Sequence, residues 1–305
     1  MITVPETLAV EMDSWARHAR SLVSAWFEVG NQAGVAPMFS QRDRDAREFR
    51  NAVPAAPANM EYAVGDFAGC YVDAIAQHLL AVATLFEARQ VALSVWPLVR
   101  AELEIAGRVG WLLDPGAVAK ALPADARVAR FSMELLASWC RERFTASKLR
   151  QKNRERSAAA GRDRQRDVLE QVFPESHTEW RHPGDETKWN VGGENYLGLG
   201  PGATKFEQTH FNGVPGLYDL LSDYAHPSLI RLSTQSRRHD DGSGIAVLSY
   251  ELHQELLEWQ VRIACLILFK AAHLVAGYFS LDGSPLESWA GAVPSNWFND
   301  GRYQR

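Results

Sequence analysis

The stretch WPLVRAELEIAGRVGWLLDP, Trp96 to Pro115, decides the fold class. Its apolar residues, among them Val99, Leu103, Val109 and Leu112, recur at three- and four-residue steps, which is the period of a helix. Pro97 stands in the first turn, where proline costs no hydrogen bond, and Asp114 with Pro115 ends the helix. The same periodicity extends outward. Toward the N-terminus it runs from Thr7 to Glu28 through Leu8, Met12, Trp15, Ala19, Leu22 and Trp26, and stops at Asn31 and Gly34. A short charged helix follows around Arg42 to Arg50, then a long one from Val64 to Arg89. Toward the C-terminus helices are expected over Ala124 to Lys152, over Arg162 to Val172, from Pro215 to His226, and over Ala246 to Phe279 as one helix or two. No stretch shows the two-residue alternation of a strand, and no internal repeat is present. The expected architecture is therefore all-α: one helical bundle spanning residues 1–305, with a single long irregular Gly/Pro-rich loop over about 174–214. Trp180, Trp189 and Tyr196 are expected to pin parts of that loop to the body, as Trp289, Trp297 and Tyr303 would the tail.

Composition narrows the class further. A chain of 305 residues with 46% apolar content can bury a sizeable core. Its three cysteines, Cys70, Cys140 and Cys265, are far apart and follow no metal-ligand spacing, so the sequence implies no disulfide framework, no metal centre and a reducing, cytoplasmic setting. The N-terminus lacks a basic region followed by an apolar one, and so does not read as a signal peptide. The most apolar segment, Val261 to Phe279, contains Arg262, Lys270 and His273, which argues for a core helix and against a membrane span. An excess of Arg over Lys, with abundant Ala, reads as the codon bias of a GC-rich bacterial genome. No nucleotide-binding glycine motif or hydrolase elbow is present, and no cofactor is implied.

Charge is unevenly placed. From Arg141 to Arg166 ten cations face Glu142, Glu155 and Asp163, a net of +7 in a chain whose total is −5, which leaves −12 for the remainder. A concentration of this kind suits phosphate backbones. Phe144 is the one aromatic residue within it, so base stacking is scarce and any RNA binding should be weak and non-specific.

Two sets of polar residues repeat at helical spacing. Arg100, Glu104 and Arg108 stand at i, i+4 and i+8, and share one face of an otherwise apolar helix. Such a stripe must meet water, a cavity or partner charges, because isolated charges are costly to bury. Glu102 lies on a different face and reads as solvated. Tyr218, Ser222 and His226 form a second i, i+4, i+8 row: a phenol, a hydroxyl and an imidazole able to hold an anion or to do acid–base work. The same groups can equally satisfy one another between packed helices. Asp240 and Asp241 read as turn residues, and the other histidines are too dispersed for a metal site.

The Trp96–Pro115 stretch and the segment YDLLSDYAHP, Tyr218 to Pro227, together resemble a group of uncharacterised bacterial helical proteins. In that group an Arg/Glu helix and a Tyr-x3-Ser-x3-His helix recur together. The group is similar, at a distance, to the HEPN helical domains, and the resemblance covers about residues 90–240. It implies either RNA-cutting stress and defence factors or non-catalytic modules that bind nucleotides or protein partners. Active HEPN members resemble one another in an Arg followed, after four to six intervening residues, by a His. The nearest pair here, Arg231 and His239, is separated by seven residues, and His226 has no upstream Arg in range. The resemblance thus implies ribonuclease chemistry only if Arg100 or Arg108 supplies the cation from another helix. The reading that follows is a non-catalytic helical module, its pocket built from Arg100, Glu104, Arg108, Tyr218, Ser222 and His226. The partner classes it admits are a small molecule, a protein or a second copy of the chain. The alternative is a HEPN-like ribonuclease using His226 as acid–base group, with Tyr218 and Ser222 orienting it.

Overall fold

The helix that decides the fold class is buried along most of its length. A computed structural model describes residues 4–32, 39–54, 56–91, 93–113, 123–174, 188–211, 214–226, 236–240, 246–250 and 252–298. The helices are α1 (Glu6–Gly30), α2 (Gln41–Ala52), α3 (Met60–Glu87), α4 (Val95–Leu113), α5 (Pro123–Lys148), α6 (Lys152–Val172), α7 (Leu199–His210), α8 (Leu217–Ala225), α9 (Gln254–Phe279) and α10 (Ser284–Ala292). The protein is an all-α helical bundle.

Helix α4 is packed on several sides at once, by α3, α7, α8 and α9. Trp96, Val99, Leu103, Ala106, Val109 and Leu112 are fully buried in it. The last-turn carbonyls of a helix have no partner within the helix. In α4 two of them are taken by arginines of α5: Arg130 Nη1 donates to the Trp111 carbonyl at 2.8 Å and Arg127 Nε to that of Leu113 at 3.1 Å. Helices α1, α3 and α9 complete the core, and α10 lies on α1. The tail docks as expected: Trp289 Nε1 donates to the His18 carbonyl at 2.9 Å, and Trp297 Nε1 to Glu258 at 3.1 Å.

Among the described residues α3 and α9 are long and apolar enough to cross a membrane. The apolar window of α9 is 78% buried by the rest of the bundle, which makes it a core helix here, while that of α3 is 39% buried.

Several sequence expectations need correction. The expected loop over 174–214 is largely ordered where it is described. Residues 190–191 and 194–195 pair as an antiparallel hairpin, β1 and β2, around Gly192 and Gly193 at φ 58° and 85°. A two-residue turn of this kind requires positive φ at both central positions, so the glycines are a hairpin signal. Leu199–His210 is a helix with Pro201 in its first turn, where a missing N–H costs nothing. Its glycines serve packing: a Cβ built on Gly107 of α4 would lie 2.5 Å from the Gly202 carbonyl carbon, so the two backbones cross in contact. Trp189 and Tyr196 are buried as expected, whereas Trp180 and Tyr303 fall outside the described residues. The basic helix breaks at Lys148 and restarts at Lys152, well before Arg162, because Arg150 takes a left-handed conformation (φ 56°). Strand is also present near 246: Ser236–Asp240 (β3) pairs antiparallel with Ala246–Tyr250 (β4), from Ser236 against Tyr250 to Asp240 against Ala246. Asp240 is thus a strand residue, and helix α9 begins at Gln254.

Candidate functional site

Helices α4 and α8 lie against each other, fixed by a stack of Trp96 on Tyr224 at 4.1 Å between ring centroids. The start of α8 is set from α7. The buried Glu207 carboxylate accepts the Gly216 N–H at 2.6 Å and the Tyr218 N–H at 2.8 Å, satisfying donors that a helix N-terminus leaves open. This contact places Tyr218 over α4, and Glu207 is a positioning residue that the sequence does not reveal, because it sits in a segment that reads as loop.

At this junction the two polar rows meet. Arg100 Nη1 lies 2.5 Å from His226 Nε2. Its Nη2 donates to the Tyr218 hydroxyl at 3.3 Å and pairs with Glu104 Oε1 at 3.0 Å. The Tyr218 hydroxyl in turn donates to Glu104 Oε1 at 3.0 Å. The Tyr218 hydroxyl, with Glu104 behind it, holds the Arg100 guanidinium more firmly protonated than usual, against the opposing effect of burial. A guanidinium carries only donors, so Nε2 of His226 must accept and the ring proton resides on Nδ1. His226 is exposed, at the C-terminal cap of α8, while Arg100 and Glu104 are about one-fifth exposed. The Ser222 hydroxyl and Arg100 Nε are both buried and have no hydrogen-bond partner. The cluster is therefore half-buried, internally bonded, and incomplete at two polar atoms.

The third member of the α4 stripe is not part of it. Arg108, two turns on from Arg100, is 3% exposed and pairs with Glu134 of α5 at 3.3 Å. It also donates to the Leu197 carbonyl and, at 3.1 Å, to the Tyr196 hydroxyl. The Glu134 carboxylate further accepts Arg141 at 2.8 Å, Tyr196 at 3.0 Å and Tyr71 at 3.3 Å. Burial and the Glu134 charge push the Tyr196 phenol up to about 12. One carboxylate thus ties α3, α4, α5 and the β2–α7 connection together, and Arg108 belongs to this structural network. The structure does not bring it to the α8 site, with which the sequence groups it.

Glu102 is the larger correction. It is 0% exposed, both carboxyl oxygens are buried without a partner, and burial raises its pKa well above the usual carboxylate range. Its neighbour on α9, Cys265, is pushed up in the same way, first by burial and then by the Glu102 charge. The side chain expected in water lies inside the bundle.

The basic run lies on the α5–α6 hairpin. Arg141 is drawn inward to Glu134, Arg154 pairs with Glu142, and Arg162 with Asp163 at 2.7 Å. Lys148, Arg150, Lys152, Arg156 and Arg164 are exposed, and Phe144 beside them is 65% exposed. Among the described residues no group of three or more His, Cys, Asp or Glu side chains is placed to hold a metal ion. Arg231 lies outside the described residues, as does the side chain of His239. Comparison with known proteins finds no match among family models, curated proteins or solved structures.

Proposed function

We propose that this chain is a helical binding module whose Arg100–Glu104–Tyr218–Ser222–His226 cluster recognises a small ligand, or the polar side chain of a protein partner, through acceptor groups on that ligand. The observation that carries this reading is a set of donors left over after the cluster has bonded itself. The buried Ser222 hydroxyl and Arg100 Nε lack partners, and His226 Nδ1–H belongs to an exposed ring. Buried polar atoms without partners cost free energy, and an acceptor-bearing ligand recovers it. A binding role is favoured over catalysis because Nε2 of His226 is held by Arg100 Nη1 in the arrangement seen, which suits a recognition group better than a free acid–base group. Three free cysteines support a reducing, cytoplasmic setting.

The test is to extract the purified protein, identify the retained small molecule by mass spectrometry, and repeat with His226→Ala. The variant should lose the ligand while its melting temperature stays within about 2 °C of wild type, since an exposed side chain contributes little to stability. A variant that unfolds in step with its loss of binding would overturn the assignment.

A second reading, a HEPN-like ribonuclease, is favoured by the same contact. Arg100 reaches His226 from another helix and supplies the cation beside imidazole that no local Arg–His spacing provides. In that chemistry Arg100 turns from the imidazole to the phosphate and offsets its charge, His226 takes the 2′-hydroxyl proton, the 2′-oxygen attacks phosphorus, and the bond to the 5′-oxygen breaks, that oxygen leaving as an alcohol with a proton taken from solvent. Cleavage of single-stranded RNA in the presence of EDTA, lost in both Arg100→Ala and His226→Ala, would establish it in place of the binding reading.

A further inference from the structure

The α5–α6 hairpin stands apart from the body of the bundle. Among the described elements α6 packs on α5 and has no other substantial neighbour. The two helices run antiparallel. Trp139 of α5 lies on Gly161 of α6, where a Cβ would come within 2.7 Å of the indole, and Glu142 pairs with Arg154. The chain reverses between Lys148 and Lys152, with Arg150 left-handed at φ 56°. Leu149 therefore sits at the apex, and Phe144 lies just over one helical turn back from it.

Both side chains face solvent: Phe144 is 65% exposed and Leu149 57%, and neither packs on the core. A single exposed apolar residue is common in soluble proteins. What distinguishes these two is their surroundings. The twelve residues from Arg143 to Arg154, RFTASKLRQKNR, hold five cations and no carboxylate. Arg154 is paired with Glu142, whereas Arg143, Lys148, Arg150 and Lys152 enter no ion pair among the described residues. Lys148 instead places its ammonium 5.3 Å from the centre of the Phe144 ring.

The tip thus combines an aromatic and an aliphatic side chain with a ring of unneutralised cations. A single-stranded nucleic acid would use the cations, but it rewards flat side chains on which bases stack, and the leucine at the apex is not one. An anionic bilayer uses both features. Its headgroups attract the cations, and the boundary between headgroups and acyl chains accepts the apolar side chains. Lys148 beside Phe144 suits that depth, since its ammonium can stay among headgroups while its stem and the ring lie deeper. We infer that the α5–α6 tip docks on an anionic phospholipid surface, with Phe144 and Leu149 entering the interface. The attachment lies in the surface and needs no membrane-spanning helix. A small apolar anchor or a basic patch alone attaches marginally and reversibly, so firm binding needs both signals. The His226 cluster lies on α4 and α8, so this inference is independent of the role assigned there.

The test is co-sedimentation of the full-length protein with vesicles of phosphatidylcholine alone and with vesicles in which about one-third of that lipid is replaced by phosphatidylserine. The protein should sediment with the mixed vesicles and stay in solution with the neutral ones. Phe144→Ser combined with Leu149→Ser changes only exposed side chains, so the circular dichroism melt should match wild type. Its partitioning onto mixed vesicles should fall about tenfold. Lys148→Gln and Lys152→Gln should lower partitioning about fivefold each. Failure to sediment with mixed vesicles, or equal sedimentation with neutral ones, would overturn the inference. So would a serine double variant that partitions as wild type does, which would reduce the contact to charge alone. A double variant that keeps its vesicle binding and loses affinity for a labelled single-stranded RNA would assign the tip to nucleic acid instead.

Discussion

Replacing Glu102 with leucine should stabilise this protein, and increasingly so as pH rises. The carboxyl is fully buried in α4, neither oxygen has a partner, and Cys265 is close enough to feel its charge. Its pKa is raised by desolvation, so the native state keeps the proton well above the ordinary value of 4.5. In the unfolded chain the group ionises near 4.5. The sign follows directly: the native state binds the extra proton, so the contribution is intact at pH below the unfolded value and is lost as pH climbs toward the native value. Within that window the loss amounts to about 1.4 kcal/mol per pH unit for one proton. A second cost is independent of pH, since an unpartnered buried polar group costs roughly 1–3 kcal/mol.

Two substitutions separate the terms. Glu102→Gln removes the ionisation and keeps polar atoms, so its stability should match wild type near pH 4 and exceed it progressively toward pH 8. Glu102→Leu removes both costs at similar volume and should already be more stable near pH 4, with a melting temperature raised by roughly 2–4 °C per kcal/mol. Urea denaturation at several pH values, followed by circular dichroism, gives both slopes. Parallel pH profiles for wild type and both variants would show that Glu102 does not titrate between the native and unfolded states. A leucine variant less stable than wild type at every pH would show that the carboxyl has a partner that stabilises the fold, and would refute the reasoning.

Three further outcomes are expected. Glu134→Ala strands Arg108 at 3% exposure and leaves the Tyr71 and Tyr196 hydroxyls without their acceptor, so chemical denaturation should show a loss of about 3–5 kcal/mol, far more than Glu142→Ala at the exposed Arg154 pair. Gly107→Ala drives a methyl into the Gly202 backbone and should cost about 1–3 kcal/mol, whereas Gly69→Ala meets nothing within 4 Å and should gain about 0.5–1 kcal/mol of helix propensity in the same melting assay. RNA affinity of the α5–α6 hairpin, measured by fluorescence anisotropy with a labelled single strand, should be weak, independent of sequence, and lost steeply between 50 and 200 mM salt; binding insensitive to salt would exclude a phosphate-based contact.

Much of the bundle was legible because amphipathic helices write their period into the chain. Trp96 to Pro115 announces its start, its face and its stop, and α1, α2 and α3 do so within a few residues. The stretch from 188 to 211 misled for one cause: a glycine is read locally as a breaker, yet its use depends on what it meets. Gly192 and Gly193 close a hairpin, and Gly202 admits the backbone of Gly107. The five-residue strand at Ala246–Tyr250 is stabilised by its ladder with Ser236–Asp240, a partner that no local pattern names.

For the candidate site, sequence alone determined which side chains share a face. The spacing of Arg100 and Glu104, and of Tyr218 and Ser222, follows from 3.6 residues per turn and needs no neighbour, whereas His226 is the non-helical cap of α8. Tertiary structure decided what each face meets. Arg100 turns to His226 across the α4–α8 junction, while Arg108 on the same stripe is taken into the Glu134 network. Glu102, on a face the sequence assigns to water, is buried because α4 is packed by α3, α7, α8 and α9 and has little solvent side. Helical periodicity fixes angles about one axis; only packing fixes how much of that circle other helices cover, and therefore which charges are paired, which are exposed, and which are stranded.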